Sequence, residues 1–414
     1  MRMYMAEAVF HVIIAIIVLD FVIERTLAWL NLNHRPKNIP EELEGIYDPE
    51  SYSLQQQYQR SHGTLALISS SFSFVILLLM LLLGGFGWLD SFARSFSEHP
   101  VVMALIFFGI IGLASNIMGI PFSVYGTFVI EEKFGFNRTT PATFVLDRIK
   151  SLFIGAVIGG GLLSLIIWFY SLSGKWFCIL AWVLVTLFSI FMGMFYSTLI
   201  VPLFNRQTPL EQGELRNKIQ EFAKKTGFRL TDIFVIDGSR RSTRANAYFT
   251  GLGPKKRIVL YDTLINDLTS DEVLGVLAHE IGHYLKKHVR SGMILGSLNS
   301  LVVLFIFSRV ISFEPLSISM GADAHSFHMA LVAFGILFSP VSFVTGILMN
   351  RLSRKREFEA DLFVKKNHDA RLLIDALKKL TAKNYSDLTP HPAYVSVHYS
   401  HPTLLQRIRA LEQE

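Results

Sequence analysis

LTSDEVLGVLAHEIGHYLKKH occupies residues 268–288 and predicts a helix with well-defined ends. Thr269 and Glu272, three residues apart, form a capping box at its N-terminus. Lys286 and Lys287 place positive charge near its C-terminus, where the helix dipole favours cations. The stretch therefore predicts a regular helix whose middle turns carry the pattern His-Glu-x-x-His.

His279 and His283 lie four residues apart on one face of this helix, so their imidazoles can bind one metal ion. Glu280 lies about 100° further round, beside the open coordination position rather than on it. A zinc ion with three protein ligands lowers the pKa of its water to about 7, and a neighbouring carboxylate can take the proton. We predict a zinc peptidase helix with Glu280 as general base. The alternative is an ordinary helix with two structural histidines.

Long apolar runs predict an integral membrane protein. Of its 414 residues, 51% are hydrophobic and 17% charged. The runs long enough to cross a bilayer as helices are residues 6–23, 64–88, 100–122, 151–172, 176–203, 291–312 and 328–350. The first run lacks a small-residue cleavage site, so we expect it to be retained rather than removed as a signal peptide.

Seven spans divide the loops between two sides of the membrane, and the basic residues lie almost entirely on one side. Every Lys and Arg except Arg2, Arg94, Lys175 and Arg309 falls on the side of the zinc helix. This asymmetry predicts a cytoplasmic active site. The net charge of +6 favours contact with anionic lipid headgroups rather than with nucleic acid. The single Cys178 excludes an internal disulfide.

The chain is expected to divide into four parts. Residues 1–203 hold the first five spans and their loops, and residues 204–290 hold the zinc helix and the strands before it. Residues 291–350 form the last two spans, and residues 351–414 complete the zinc site.

Three short strand candidates precede the zinc helix, namely residues 232–236, 245–251 and 257–261, with a turn at 251–254 between the last two. They predict a small sheet beside the helix. If the middle strand lies at an edge, the backbone of Asn246, Ala247 and Tyr248 can pair with an extended substrate peptide. The alternative is an ordinary sheet without substrate contact.

A third zinc ligand is predicted in RLSRKREFEADLFVKKN, which follows the last span. Glu357 and Asp361 are four residues apart and share a helical face. We assign Glu357 to the zinc ion and Asp361 to the free nitrogen of a zinc histidine. Glu359 points roughly the opposite way on the same helix. A third histidine ligand on the zinc helix itself would be expected ten residues after His279, at Val289, so His288 falls one position short of that pattern. The alternative is a solvated acidic helix.

HYSHPTLLQRI, at residues 398–408, provides two candidate donors for the oxyanion that develops during peptide hydrolysis. His401 or Arg407 could supply this hydrogen bond. In the alternative interpretation, His401 before Pro402 only marks the start of the last helix.

Six motifs occur in an order that resembles one family: YGTFVIEEKFGFN (125–137), PLFN (202–205), GSRRSTRANAYFTG (238–251), HEIGH (279–283), EFEAD (357–361) and HYSHPTLLQRI (398–408). The chain resembles the type I CAAX prenyl endopeptidases, which are intramembrane zinc metalloproteases. The resemblance implies a polytopic α-helical membrane protein with seven transmembrane helices around a chamber and a cytoplasmic, gluzincin-like zinc protease domain with a small β-sheet. It also implies removal of a C-terminal tripeptide that follows a prenylated cysteine.

The residues implied by the resemblance are the zinc ligands His279, His283 and Glu357, the base Glu280, the strand residue Asn246, and the polar groups His401 and Arg407. The expected cofactor is one zinc ion per chain, and the expected partners are a peptide or protein substrate and membrane lipids. The interpretation of YGTFVIEEKFGFN as a simple interfacial loop stays open.

The C-terminal sequence Ala-Leu-Glu-Gln-Glu lacks a dilysine retention signal. We therefore expect a bacterial cytoplasmic membrane rather than the endoplasmic reticulum. A prenylated substrate would not be expected in a bacterium, because bacteria do not generally prenylate their own proteins. Two other functions stay open: a broader quality-control protease of membrane proteins, and a metal-regulated transporter. Against a transporter, the sequence has no repeated halves, and Glu280 would have no role in it.

Overall fold

A computed structural model describes residues 1–34, 39–228, 230, 232–250 and 257–413. Its α-helices are α1 Arg2–Asn33, α2 Pro49–Leu82, α3 Gly85–Phe96, α4 Pro100–Tyr125, α5 Pro141–Ser173, α6 Phe177–Leu199, α7 Glu214–Lys225, α8 Asp262–Asp267, α9 Ser270–Leu285, α10 His288–Val310, α11 Pro315–Ser319, α12 Phe327–Asn367, α13 Ala370–Lys383, α14 Pro392–His398 and α15 Leu404–Glu412. Its strands are β1 Gln207–Pro209, β2 Asp232–Ile236, β3 Ala247–Thr250 and β4 Arg257–Tyr261. A π-helix, Gly126–Glu131, extends α4.

In the described chain, each of the seven predicted spans forms a helix: α1, α2, α4, α5, α6, α10 and α12. Helices α5 and α6 belong to one apolar stretch, Pro141–Leu203, which turns at Gly174. The predicted run 64–88 is wrong at its end, because α2 stops at Leu82. Gly84 is left-handed there (φ 69°), and the chain turns into the separate helix α3.

The spans share one apolar core cluster, while the chain as a whole exposes a large surface. The chain exposes 22071 Å², whereas a compact protein of this length exposes about 16,000 Å². Polar side chains join neighbouring spans, for example Asp20 to Ser339 at 2.6 Å and Arg148 to Asn116 at 2.9 Å. A polar cavity of about 510 Å³ lies between α1, α2 and the segment before α14. Polar contacts and a polar cavity therefore occur within a part of the chain that is otherwise strongly apolar.

The described strands form one four-stranded sheet in the order β1-β2-β4-β3. Strands β2 and β4 are parallel, and the other two pairs are antiparallel. The three predicted strands are present, while β1 was not predicted because it is only three residues long and ends in Pro209. Strand β3 lies at the edge of the sheet, as pairing of its backbone with an extended substrate peptide would require. The predicted turn at 251–254 lies outside the described residues.

Helix α9 is the centre of the core outside the spans and packs against α7, α12 and α13. The predicted capping box is present, since the Thr269 side chain accepts from the Glu272 amide and Glu272 accepts from the Thr269 amide. Helix α12 has 41 residues, about 61 Å at 1.5 Å per residue, twice the thickness of the hydrocarbon core of a bilayer. Its C-terminal half therefore extends beyond the membrane and lies along α9.

The divisions expected at 290/291 and 350/351 fall inside α10 and α12. Continuous helices therefore join the metal-site segment to the spans. The four-part organisation of the chain stays a prediction.

Two glycines of α9 allow neighbouring helices to come close. A Cβ atom on Gly282 would lie 3.1 Å from Phe363 and 3.3 Å from the Ala360 carbonyl oxygen of α12. A Cβ atom on Gly275 would lie 3.2 Å from the backbone of Leu373 in α13. All three distances are shorter than ordinary van der Waals contact, so a larger side chain would require these helices to move apart.

We expect Gly282→Ala to lower the free energy of unfolding by about 1–3 kcal/mol, because overpacking separates α9 from α12. The matched control is Gly346→Ala in α12, where a Cβ atom meets nothing within 4 Å. That change should be neutral or stabilising by up to about 1 kcal/mol, since alanine favours the helix. Thermal unfolding of the purified variants measures both effects, and equal midpoints would contradict the tight-contact argument.

Candidate active site

Three predicted ligand residues converge where α9 meets α12. The Nε2 atoms of His279 and His283 are 3.1 Å apart. Glu357 Oε2 lies 3.3 Å from His279 Nε2, and Glu357 Oε1 lies 3.1 Å from His283 Nε2. Ligand atoms about 2.0–2.1 Å from one tetrahedral ion are separated by about 3.3 Å. The three side chains therefore have the spacing that a single metal ion requires.

Glu357 also has the environment of a metal ligand. It is 3% exposed, and within the described chain its Oε2 atom is buried and makes no well-aligned hydrogen bond. A buried carboxylate needs a positive partner, because burial removes its hydration. A divalent ion between Glu357, His279 and His283 would satisfy this oxygen. The donor set of two imidazoles and one carboxylate thus fits a metal.

A buried ion pair supports His279 from behind. Asp361 Oδ1 lies 2.8 Å from His279 Nδ1, as expected from the sequence. The Arg407 guanidinium donates two hydrogen bonds to Asp361, at 2.9 and 2.6 Å. Burial and the charge of Arg407 lower the pKa of His279, but the hydrogen bonds to Asp361 and Glu357 outweigh them, and its pKa lies above the usual value. Protons therefore compete with a metal for this histidine.

The predicted oxyanion donor Arg407 is buried against Asp361. It is 9% exposed, and its Nη2 atom lies 3.2 Å from His279 Nδ1, the nitrogen that faces away from the ligand cluster. Its guanidinium is bound to Asp361 because α15 packs against α12 and α13. Arg407 thus lies behind His279, on the side away from the ligand cluster, and its role as an oxyanion donor stays a prediction.

His401 lies at the mouth of the site. Its side chain is 67% exposed, and its Nδ1 atom is 3.0 Å from Glu357 Oε2. Glu280 is half-buried on α9, next to His279. Glu280 and His401 therefore stay the predicted general base and hydrogen-bond donor of the site.

Two residues near His283 were missed as parts of the site. His283 Nδ1 lies 3.0 Å from His288 Nδ1, and His288 Nε2 lies 2.9 Å from Glu359 Oε2. From sequence spacing, His288 is not a metal ligand and Glu359 has no role. Their contact through the second nitrogen of His283 depends on how the chain turns after α9.

Family models match nearly the whole chain. The model for the CAAX prenyl protease N-terminal region, with five membrane helices, matches residues 29–206. The model for peptidase family M48 matches residues 209–414. The chain belongs to peptidase family M48. As a member of that family it is a multi-pass membrane metalloendopeptidase.

Relatives of this M48 peptidase match over most of their length. It is 32% identical to the CAAX prenyl protease 1 homolog of Mus musculus, over 90% of this chain and 88% of that protein. It is 34% identical to CAAX prenyl protease 1 of Saccharomyces cerevisiae, over 90% of this chain and 88% of that protein. The crystal structure of S. mikatae Ste24p aligns with a TM-score of 0.91 and 33% identity, covering 98% of this chain and 99% of that chain.

The edge strand of this M48 peptidase is attached to the spans by ion pairs in the residues just before it. Arg241 donates two hydrogen bonds to Asp147 of α5, at 2.7 and 3.0 Å. Arg244 donates to Glu131 at 2.8 Å, and Tyr58 of α2 donates to the same carboxylate at 2.7 Å. Glu131 ends the π-helix, so the motif at 125–137 fixes the strand and is more than an interfacial loop.

Of the predicted strand residues, Ala247 and Tyr248 begin β3, and Asn246 directly precedes it. The Asn246 carbonyl oxygen accepts from the Tyr261 amide at 3.1 Å, and Asn246 is exposed. Ala247 pairs with Leu260 and Tyr248 pairs with Val259 in the antiparallel ladder. Among the described strands, β3 pairs with β4 alone and is an edge strand of the sheet.

We expect Arg407→Ala to destabilise the fold by about 3–5 kcal/mol, because it leaves Asp361 buried without its partner. The matched control is Arg409→Ala, two residues along α15, whose pair with Glu42 is exposed and should matter little. Thermal unfolding measures the difference. Wild-type stability in Arg407→Ala with slower cleavage would instead favour a direct role in the reaction.

Proposed function

We propose that this M48 peptidase is a zinc-dependent endopeptidase that cleaves close to the C-terminus of a prenylated protein. The observation that carries the proposal is the convergence of His279, His283 and Glu357 at metal-ligand spacing, with Glu280 and an edge strand beside them. The relatives named CAAX prenyl proteases support the substrate class.

Zinc is the metal that best suits this donor set. Two histidines and one glutamate with an open fourth position are typical of catalytic zinc sites in peptidases. A zinc ion held here supplies Lewis acidity, which polarises a peptide carbonyl and makes water more acidic. Asp361 orients the ring of His279 and keeps Nε2 free for the ion.

The remaining chemistry belongs to the side chains around the ligands. An extended substrate would add to the free edge of β3 through backbone hydrogen bonds near Asn246, Ala247 and Tyr248. Glu280 would take a proton from the attacking water and deliver it to the leaving amine. His401, exposed at the mouth of the site, would donate a hydrogen bond to the carbonyl oxygen as negative charge develops there.

The apolar helices and the distribution of basic residues also support proposals about lipid contact and the membrane in which the protein lies. Seven apolar helices contact membrane lipids, and the basic residues of the metal-site side favour the cytoplasmic face, next to anionic headgroups. The relatives reported above are eukaryotic. They favour an endoplasmic reticulum membrane over the bacterial membrane that the C-terminal sequence suggested.

We expect Glu280→Gln to keep wild-type zinc content while cleavage falls by about 10²–10⁴-fold, because the glutamate acts on water and not on the metal. Glu357→Ala should instead lose zinc, since it removes a ligand. Metal analysis of the purified variants, together with peptide cleavage, separates the two roles. Zinc loss in Glu280→Gln, or turnover at the wild-type rate, would contradict the assignment.

We expect purified full-length protein to cleave a farnesylated C-terminal peptide and to leave its unmodified counterpart intact. Glu280→Gln should lower the rate by about the same 10²–10⁴-fold, as expected for loss of a general base, and a zinc chelator should abolish the reaction. Equal cleavage of both peptides, if stopped by the chelator, would keep the zinc mechanism but reject the lipid requirement in favour of a broader membrane protease. Cleavage of neither peptide would reject the substrate class.

A further inference from the structure

We infer that His288 and Glu359 form a hydrogen-bond chain that orients the metal-facing ring of His283. This inference rests on the metal centre proposed above. It assigns His283 the same kind of support that Asp361 and Arg407 give to His279. His288 and Glu359 are therefore positioning residues, which act on the metal only through His283.

The two contacts define one consistent set of proton positions. His283 Nε2 faces His279 and Glu357, so its Nδ1 carries the hydrogen and donates to His288 Nδ1 over 3.0 Å. The other nitrogen of His288, Nε2, then carries a hydrogen and donates to Glu359 Oε2 over 2.9 Å. Both imidazoles are neutral in this arrangement. The chain fixes the tautomer of His283 that a metal ligand requires.

A left-handed turn brings His288 beneath His283. Helix α9 ends at Leu285, and Lys287 adopts φ 60° and ψ 26° before α10 begins at His288. This conformation is unfavourable for a residue with a side chain and is found where the surrounding structure requires it. It lets His288, five residues after His283, fold back onto the imidazole, which a continuous helix would not allow.

The start of α10 is held against α12 by a further contact. Arg356 donates to Ser291 Oγ at 2.8 Å, and Ser291 Oγ donates to the His288 carbonyl oxygen at 3.1 Å. The position of His288 relative to Glu359 is thus fixed by neighbouring residues of the same two helices. These contacts hold His288 in place, which argues against an incidental pairing of His288 with Glu359.

The hydrogen-bonded residues behind His279 are more deeply buried than those behind His283. The side chains of Asp361 and Arg407 are 2% and 11% exposed, whereas His288 is 8% and Glu359 42% exposed. The chain behind His283 therefore ends in solvent, where water can partly replace Glu359. We expect the loss of Glu359 to weaken metal binding less than the loss of His288.

The test measures zinc affinity of purified full-length protein by competition with a chromogenic chelator, together with the visible absorption spectrum of the Co²⁺ form. His288→Leu should weaken zinc binding about 10–100-fold and alter the Co²⁺ bands. His288→Asn should recover most of the affinity, because its amide oxygen can accept from His283 Nδ1. An equal loss in His288→Asn and His288→Leu would overturn the inference.

Glu359 provides a second test at a partly exposed position, where substitution is compatible with folding. Glu359→Ala should give a smaller loss of affinity, and Glu359→Gln should stay close to wild type because it still accepts from His288 Nε2. In the His288→Leu background, Glu359→Ala should have no further effect. A further loss of zinc affinity in the double variant would overturn the inference, because Glu359 would then act without His288.

Glu221→Ala, at an exposed position of α7, is the matched control and should bind zinc like the wild type. Wild-type zinc affinity in both His288→Leu and Glu359→Ala would overturn the inference while leaving the metal centre intact. Failure of the wild-type protein itself to bind zinc would overturn the metal centre and this chain together.

Discussion

The close contact between α9 and α12 is the constraint on which the site depends. Gly282 allows the Ala360–Phe363 stretch to approach α9, and this approach brings Glu357 within 3.3 Å of His279 and within 3.1 Å of His283. Helical spacing alone pairs the two histidines, but the third ligand comes from a helix that also crosses the membrane. Helix packing thus determines the metal site and its position relative to the spans.

Local periodicity predicted the parts of the site that lie within one helix. The pairs His279 with His283, and Glu357 with Asp361, follow from four-residue spacing, because such residues share a helical face. The edge position of β3 became known only from the sheet order. Sequence patterns specify which residues share an element, but they do not specify which elements meet.

The surroundings of Arg407 and His288, which the sequence did not indicate, depend on contacts between distant elements. Arg407 lies behind His279 because α15 packs on α12, and no pattern in HYSHPTLLQRI indicates that direction. His288 contacts His283 because Lys287 is left-handed, an unfavourable conformation that propensities do not predict. Functional sites are where such exceptions are expected, since they require geometry that local preference would not select.

Charge balance explains why so many ionic groups are tolerated in this core. Without a metal, the raised pKa of His279 favours its protonated form, and with Arg407 it balances the carboxylates of Glu357 and Asp361. A divalent ion would replace that proton and add one further positive charge, which the half-buried carboxylate of Glu280, next to His279 on α9, would balance. Because buried charges are stable only when paired, the three carboxylates of Glu280, Glu357 and Asp361 match the charge that Arg407 and a divalent ion would carry together.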